Sequence, residues 1–136
     1  MGRYEVVSHT ADTGIVTLGD SLEAVIANAA FAMFDLMYDV DDSAPGSEVE
    51  IAIDSAAPPD LLVAVLSELL YRSEVDGLVF GDFEVRADDD RTLVGARGYL
   101  VESLEVQGPP IKAVTYHDLR CEPTDEGWVA RVIFDV

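Results

Sequence analysis

The stretch DSLEAVIANAAFAMFDLM, residues 20–37, decides the architecture. Leu22, Val25, Ile26, Ala29, Ala30, Met33 and Met37 recur at three- and four-residue spacing, which places them on one face of a helix. Asp20 followed by Glu23 reads as a capping box, each side chain satisfying an orphan N–H. The helix is expected to end near Tyr38, before the acidic run at Asp39, Asp41 and Asp42. A second helix is predicted from Pro58-Pro59, because proline is tolerated in a first turn. Its apolar positions are Leu61, Leu62, Val65, Leu66, Leu69 and Leu70, and Gly77 is its expected stop.

Outside these two segments the pattern is that of strands. Arg3–Ser8 alternates, a polar loop covers Ser8 to Gly14, and Ile15–Leu18 reads as a second strand. Pro45-Gly46 is a turn, and Val49, Ile51 and Ile53 alternate with Glu50, Ala52 and Asp54 as a half-buried strand does. Further strands are predicted at Leu78–Asp88, Thr92–Leu100, Ile111–Glu122 and Gly127–Asp135. Asp88-Asp89-Asp90-Arg91 and Pro123-Thr124-Asp125-Glu126 read as hairpin loops. The order β-β-α-β-α-β-β-β-β implies an α+β two-layer domain, with two helices packed on antiparallel or mixed sheets. At 136 residues, one domain spanning the chain is expected. Surface scaling gives roughly 6,900 Å² folded against roughly 21,000 Å² unfolded, enough burial for a core without staples.

Charge narrows the function. Acidic residues number 27 against 8 basic, a net charge of −19. That excludes nonspecific binding to a phosphate backbone, and equally to anionic lipid. Lys112 is the sole lysine, the other seven basic residues being arginine. An acidic, lysine-poor surface fits either a salt-rich cytoplasm or a GC-rich genome. Cys121 is the only cysteine, so no intramolecular disulfide forms, as suits a reducing cytosol. No leader peptide opens the sequence and no apolar run approaches the ~20 residues that span a bilayer, so a cytoplasmic location is expected.

Several residues carry candidate chemistry. His9 and Asp12 share a small-residue loop, where the pair suits acid–base work, metal ligation or simple loop structuring. Asp39, Asp41, Ser43 and Glu50 match an EF-hand spacing, but Ala44 stands where the turn needs glycine and a strand follows. Lys112 offers a compact ammonium for a carboxylate or phosphate. In a regular strand it would share a face with Val114 and Tyr116, while His117 would face the other way unless a bulge intervened. At the end of the sequence, Asp135 and the α-carboxylate of Val136 stand together. With Asp12 beside them, three oxygen donors would suit a hard cation such as Ca²⁺ or Mg²⁺. The chain has no Gly-x-Ser-x-Gly, Walker A or His-Glu-x-x-His motif.

His9-Thr10-Ala11-Asp12-Thr13-Gly14-Ile15, Leu69-Leu70-Tyr71, Lys112-Ala113-Val114-Thr115-Tyr116-His117 and the terminal Asp135-Val136 together resemble the archease family, in order and spacing over essentially the whole chain. The resemblance implies an α+β fold of repeated β-α-β-β units. It implies an accessory protein rather than an enzyme, one that activates the RtcB-type RNA ligase of tRNA splicing by promoting its GTP-dependent guanylylation and multiple turnover. The family's metal, usually calcium, would fall to Asp12, Asp135 and Val136, with Lys112 a further functional position. His9 and His117 lie in the same motifs as candidate contacts for the partner or a phosphate. The ligase would be the partner, GTP its own cofactor, and direct contact with nucleic acid or membrane is not expected. The resemblance leaves the oligomeric state open. One departure stands out: Tyr99 occupies the position where the family often has an acidic residue, and no histidine follows it. Two other readings remain from the residues alone. One is a small metal-dependent hydrolase or nucleotide-processing enzyme using Asp12, His9 and Lys112, and the other is a general chaperone-like module.

Overall fold

The computed structural model describes residues 3–8, 12–41 and 44–136, with Ser8 described by its backbone alone. The helix read at residues 20–37 runs Leu22–Met37 (α1). Its cap is Ser21 rather than Asp20: the Ser21 hydroxyl accepts from the Ala24 N–H at 3.1 Å. Both residue types cap well, and the register of the first turn selects the serine. Ala32 and Phe34 are buried along with the predicted stripe, because α1 packs against strands of two sheets and needs a wide apolar face. The second helix, α2, runs Pro58–Asp76 and buries Leu61, Leu62, Val63, Val65, Leu66, Leu69 and Leu70. Gly77 ends it in the left-handed conformation, φ 67°, with its N–H on the Ser73 carbonyl.

The strands are β1 Glu5–Ser8, β2 Asp12–Gly19, β3 Tyr38–Asp39, β4 Gly46–Asp54, β5 Leu78–Asp88, β6 Arg91–Leu100, β7 Glu105–Val106, β8 Ala113–Val114, β9 Arg120–Thr124 and β10 Gly127–Asp135. They form a five-stranded sheet in the order β1-β2-β10-β8 with β9 also on β10, a three-stranded sheet β4-β6-β5, and a short β3-β7 pair. Every pairing among them is antiparallel. Phe34 of α1 meets Phe80 edge-on at 5.8 Å and stacks with Phe83 at 6.0 Å, which ties the helix to β5. The accessible surface is 7117 Å², close to the roughly 6,900 Å² that scaling gives.

Two further expectations change. The second strand begins at Asp12, so Asp12-Thr13-Gly14 belongs to the ladder and not to a loop. Gly14 makes this possible: a Cβ there would stand 2.6 Å from Ile133 Cδ1 and 2.9 Å from the Val132 carbonyl oxygen. The single strand expected at Ile111–Glu122 is two short ones. The Thr115 N–H and hydroxyl both donate to the Ile133 carbonyl, at 3.0 and 2.8 Å. The next cross-strand pair is Arg120 with Arg131, so Tyr116 to Leu119 loop out of the ladder. Asp118 takes a left-handed φ of 51° in that loop, a conformation its short polar side chain tolerates. A smaller irregularity falls in β5 between Gly81 and Glu84, where Asp82 has φ 53°. The EF-hand spacing lacks its second helix: Asp39 pairs with Glu105 in β3-β7, Glu50 lies in β4 as the acceptor of Arg86, and Ser43 lies outside the described residues.

Candidate functional site

β2 and β10 pair without a break from Gly19–Trp128 to Asp12–Asp135. The last pair therefore sets two aspartates, from opposite ends of the sequence, directly across from each other. Opposed residues on such a ladder have Cβ atoms about 4.5–5.5 Å apart and project to the same face. Asp12 is half-buried and Asp135 exposed. Among the described residues neither carboxylate lies within 4.0 Å of a basic side chain, so no described ion pair offsets their repulsion. Two hard oxygen donors held at this spacing suit a divalent cation. The side chain of Val136 packs against the core and fixes the backbone just beyond Asp135. No cluster of three or more His, Cys, Asp or Glu side chains suited to a metal occurs among the described residues. Among the described residues, a third ligand would accordingly be a main-chain or carboxyl oxygen.

Lys112 reaches this end through its backbone: its N–H donates to the Asp135 carbonyl at 2.7 Å. Because Ala113 is the residue opposite Asp135, alternation turns Lys112 and Val114 to the other face. Both line a shallow groove against α2 with Ser67, Leu70, Tyr71 and Glu74. The Lys112 ammonium has no ion-pair partner among the described residues. It thus neighbours the carboxylate pair through its backbone, while its residue lines the groove against α2. Tyr71 lies five residues before the end of α2 and is 60% exposed at that groove.

His9 lies outside the described residues. His117 is exposed in the looped-out segment, its Nε2 3.4 Å from Asp118 Oδ2 and its N–H on the Thr115 hydroxyl. Cys121 is buried, and burial, reinforced by the charge of Glu122, pushes its thiol up to about 11. It stays protonated at neutral pH and is a poor nucleophile. Tyr99, the departure from the archease pattern, is fully buried and donates its hydroxyl to Asp82 Oδ2 at 3.3 Å. Its position explains a residue that the sequence presented only as a substitution. Asp82 itself escaped the sequence reading; the one local signal was the lapse of alternation at Gly81-Asp82.

An α+β protein with an acidic surface site at the end of a five-stranded antiparallel sheet is the class these observations define. The Archease protein family model matches residues 4–136. The archease of Methanosarcina mazei is 38% identical over 141 residues, covering 98% of this chain and 96% of that protein. That of Pyrococcus furiosus is 34% identical and covers 100% of both chains. The solution structure of Methanobacterium thermoautotrophicum protein 1598 superposes with a TM-score of 0.80 at 31% identity, covering 100% of both chains. A crystal structure from Thermotoga maritima, described as an archease and possible chaperone, superposes at 0.69 with 20% identity, covering 97% of this chain and 96% of that one, and shares the fold. The chain belongs to the archease family.

Proposed function

We propose that this protein activates an RtcB-type RNA ligase, promoting the ligase's GTP-dependent guanylylation and its multiple turnover, and that it does so through the Asp12–Asp135 end. The observation that supports the reading is the pairing of Asp12 with Asp135 across β2 and β10, in a chain of the archease family. Asp12, Asp135 and the carboxylate of Val136 would hold the cation, calcium or another divalent ion. When bound, the cation neutralises the carboxylate pair and offers open coordination positions to a phosphate or a partner carboxylate. The chain's own residues do the positioning. Gly14 lets β2 approach β10 closely enough to keep Asp12 in line, and the Lys112 N–H holds the Asp135 main chain. The Lys112 ammonium, without an ion-pair partner among the described residues, is available for a phosphate or an acidic group on the ligase.

In this reading the docking surface faces protein and leaves the RNA to the ligase, which agrees with a net charge of −19 that disfavours a phosphate backbone. An accessory role agrees with the description of the Thermotoga relative as a possible chaperone. The experiment is a guanylylation time course of the cognate ligase with GTP, with and without this protein. Acceleration by the wild type, lost in Asp12→Asn, Asp135→Asn, Lys112→Ala and a variant extended beyond Val136, is the expected result. Unchanged guanylylation with all four variants contradicts the assignment.

A further inference from the structure

The cleft between the N-terminal segment, α1 and the bulge of β5 has a volume of about 300 Å³ and shares no lining residue with the Asp12–Asp135 pair. That size is at the lower end for a small-ligand site. Its aromatic walls are Phe31, Phe80 and Phe83, and its polar groups include Asn28, Asp35 and Asp82. A cation already lies in it. The guanidinium of Arg3 sits 3.6 Å from the centroid of the Phe31 ring, with no carboxylate at ion-pair distance among the described residues. The reason is tethering. Tyr4 is pinned by its hydroxyl to Asp35 Oδ2 at 2.7 Å and by an edge contact with Phe31 at 6.3 Å. Tyr4 thus anchors the main chain beside Arg3, whose guanidinium rests on the ring and not on the acids.

The two carboxylates are each half-used. Asp35 Oδ2 takes the Tyr4 hydroxyl, and Asp82 Oδ2 takes the hydroxyl of buried Tyr99. Oδ1 of each has no hydrogen-bond donor among the described side chains. An aromatic face beside carboxylate oxygens is the chemistry that selects a planar, delocalised cation, which stacks on the ring and donates in its own plane. We propose that this cleft binds an alkylguanidinium cation, which takes the place of Arg3 on Phe31 and donates to Asp35 and Asp82. Arg3 is the resident competitor, and an untethered guanidinium is free to make the carboxylate contacts that Arg3 does not make here. The cation is either a free small molecule or the arginine side chain of a partner protein.

The test is an NMR titration of the full chain with ethylguanidinium, wild type against Arg3→Ala. Amide shifts are expected at Gly81, Asp82 and Phe83. Removal of the tethered competitor is expected to tighten binding by about five-fold or more. Arg3→Gln, which keeps the side-chain stem, is expected to behave like Arg3→Ala. Adding Asp82→Asn, which tolerates the left-handed backbone, is expected to weaken binding about ten-fold while the spectrum stays dispersed. Ethylurea, similar in shape but uncharged, is expected to leave the spectrum unchanged. A blocked arginine tripeptide that binds more tightly than ethylguanidinium assigns the site to a partner's side chain, and equal affinity assigns it to a free cation. Equal binding by wild type and both Arg3 variants, an equal response to ethylurea, or shifts confined to other residues overturns the proposal.

Discussion

Replacing Asp12 with asparagine should stabilise the protein in a chelator and destabilise it relative to wild type in calcium. The two aspartates face each other on adjacent strands, and like charges so placed cost roughly 0.2–1 kcal/mol. Asp135 is exposed and the repulsion is screened, so about 0.5 kcal/mol is the working figure. For 136 residues the unfolding entropy is about 290 cal/mol/K, so that relief raises Tm by roughly 2 °C. If the pair holds calcium as proposed, the ion at about 100 times its Kd should add ~2.7 kcal/mol to the wild type, or roughly 9 °C. Asp12→Asn removes the charge of one proposed ligand and should lose most of that gain. Thermal melts followed by circular dichroism, in EDTA and in calcium, measure both effects. A variant less stable than wild type in EDTA, or a wild type whose Tm ignores calcium, magnesium and manganese alike, refutes the reasoning about the carboxylate pair.

Other perturbations probe the frame around this site. Ser21→Ala removes the cap of α1 and should cost about 1 kcal/mol, a drop of roughly 3–4 °C in Tm. Gly14→Val forces a branched side chain against Ile133 and the Val132 carbonyl and should cost about 1–3 kcal/mol. It should also abolish any calcium shift, since Asp12 leaves its register. Tyr4 is pushed from 10.0 up to about 12 by burial, then by its hydrogen bond to Asp35 and that group's charge. Its neutral form is the one the fold favours, so its stabilising contribution is complete below pH 10 and lost as pH rises through about 12. Wild-type stability should therefore fall more steeply across that alkaline range than Tyr4→Phe stability, as paired denaturant titrations would measure.

Much of the frame was legible in local pattern. The helical stripe at residues 20–37, the proline start and glycine stop of α2, and the strands Leu78–Asp88 and Gly127–Asp135 all follow from spacing and punctuation within a few residues. The candidate site was legible in part. Residue types marked Asp12, Lys112 and Asp135 as worth weighing, but no local signal could bring Asp12 to Asp135, because register between strands from opposite ends of the chain is set by tertiary packing. For the same reason the polar run at Asp12-Thr13-Gly14 read as loop, although pairing with β10, and at Thr13 and Gly14 with β1 as well, makes it strand. The excursion at Tyr116–Leu119 was anticipated only as a bulge that would be needed to change the direction of His117. The Thr115 hydroxyl, which takes a ladder acceptor, makes that excursion possible. Tyr99 looked like the loss of a family acid, whereas in the fold it is a core residue whose hydroxyl supports Asp82.

The central claim is that the Asp12–Asp135 end acts on a ligase. The most direct measurement is the amount of RNA joined per molecule of cognate RtcB-type ligase, with GTP and a divalent cation, in the presence of wild type or Asp12→Asn,Asp135→Asn. The account predicts many turnovers with the wild type and no more than the ligase achieves alone with the double variant, provided its melt shows it folded. Equal turnover with both proteins would contradict it.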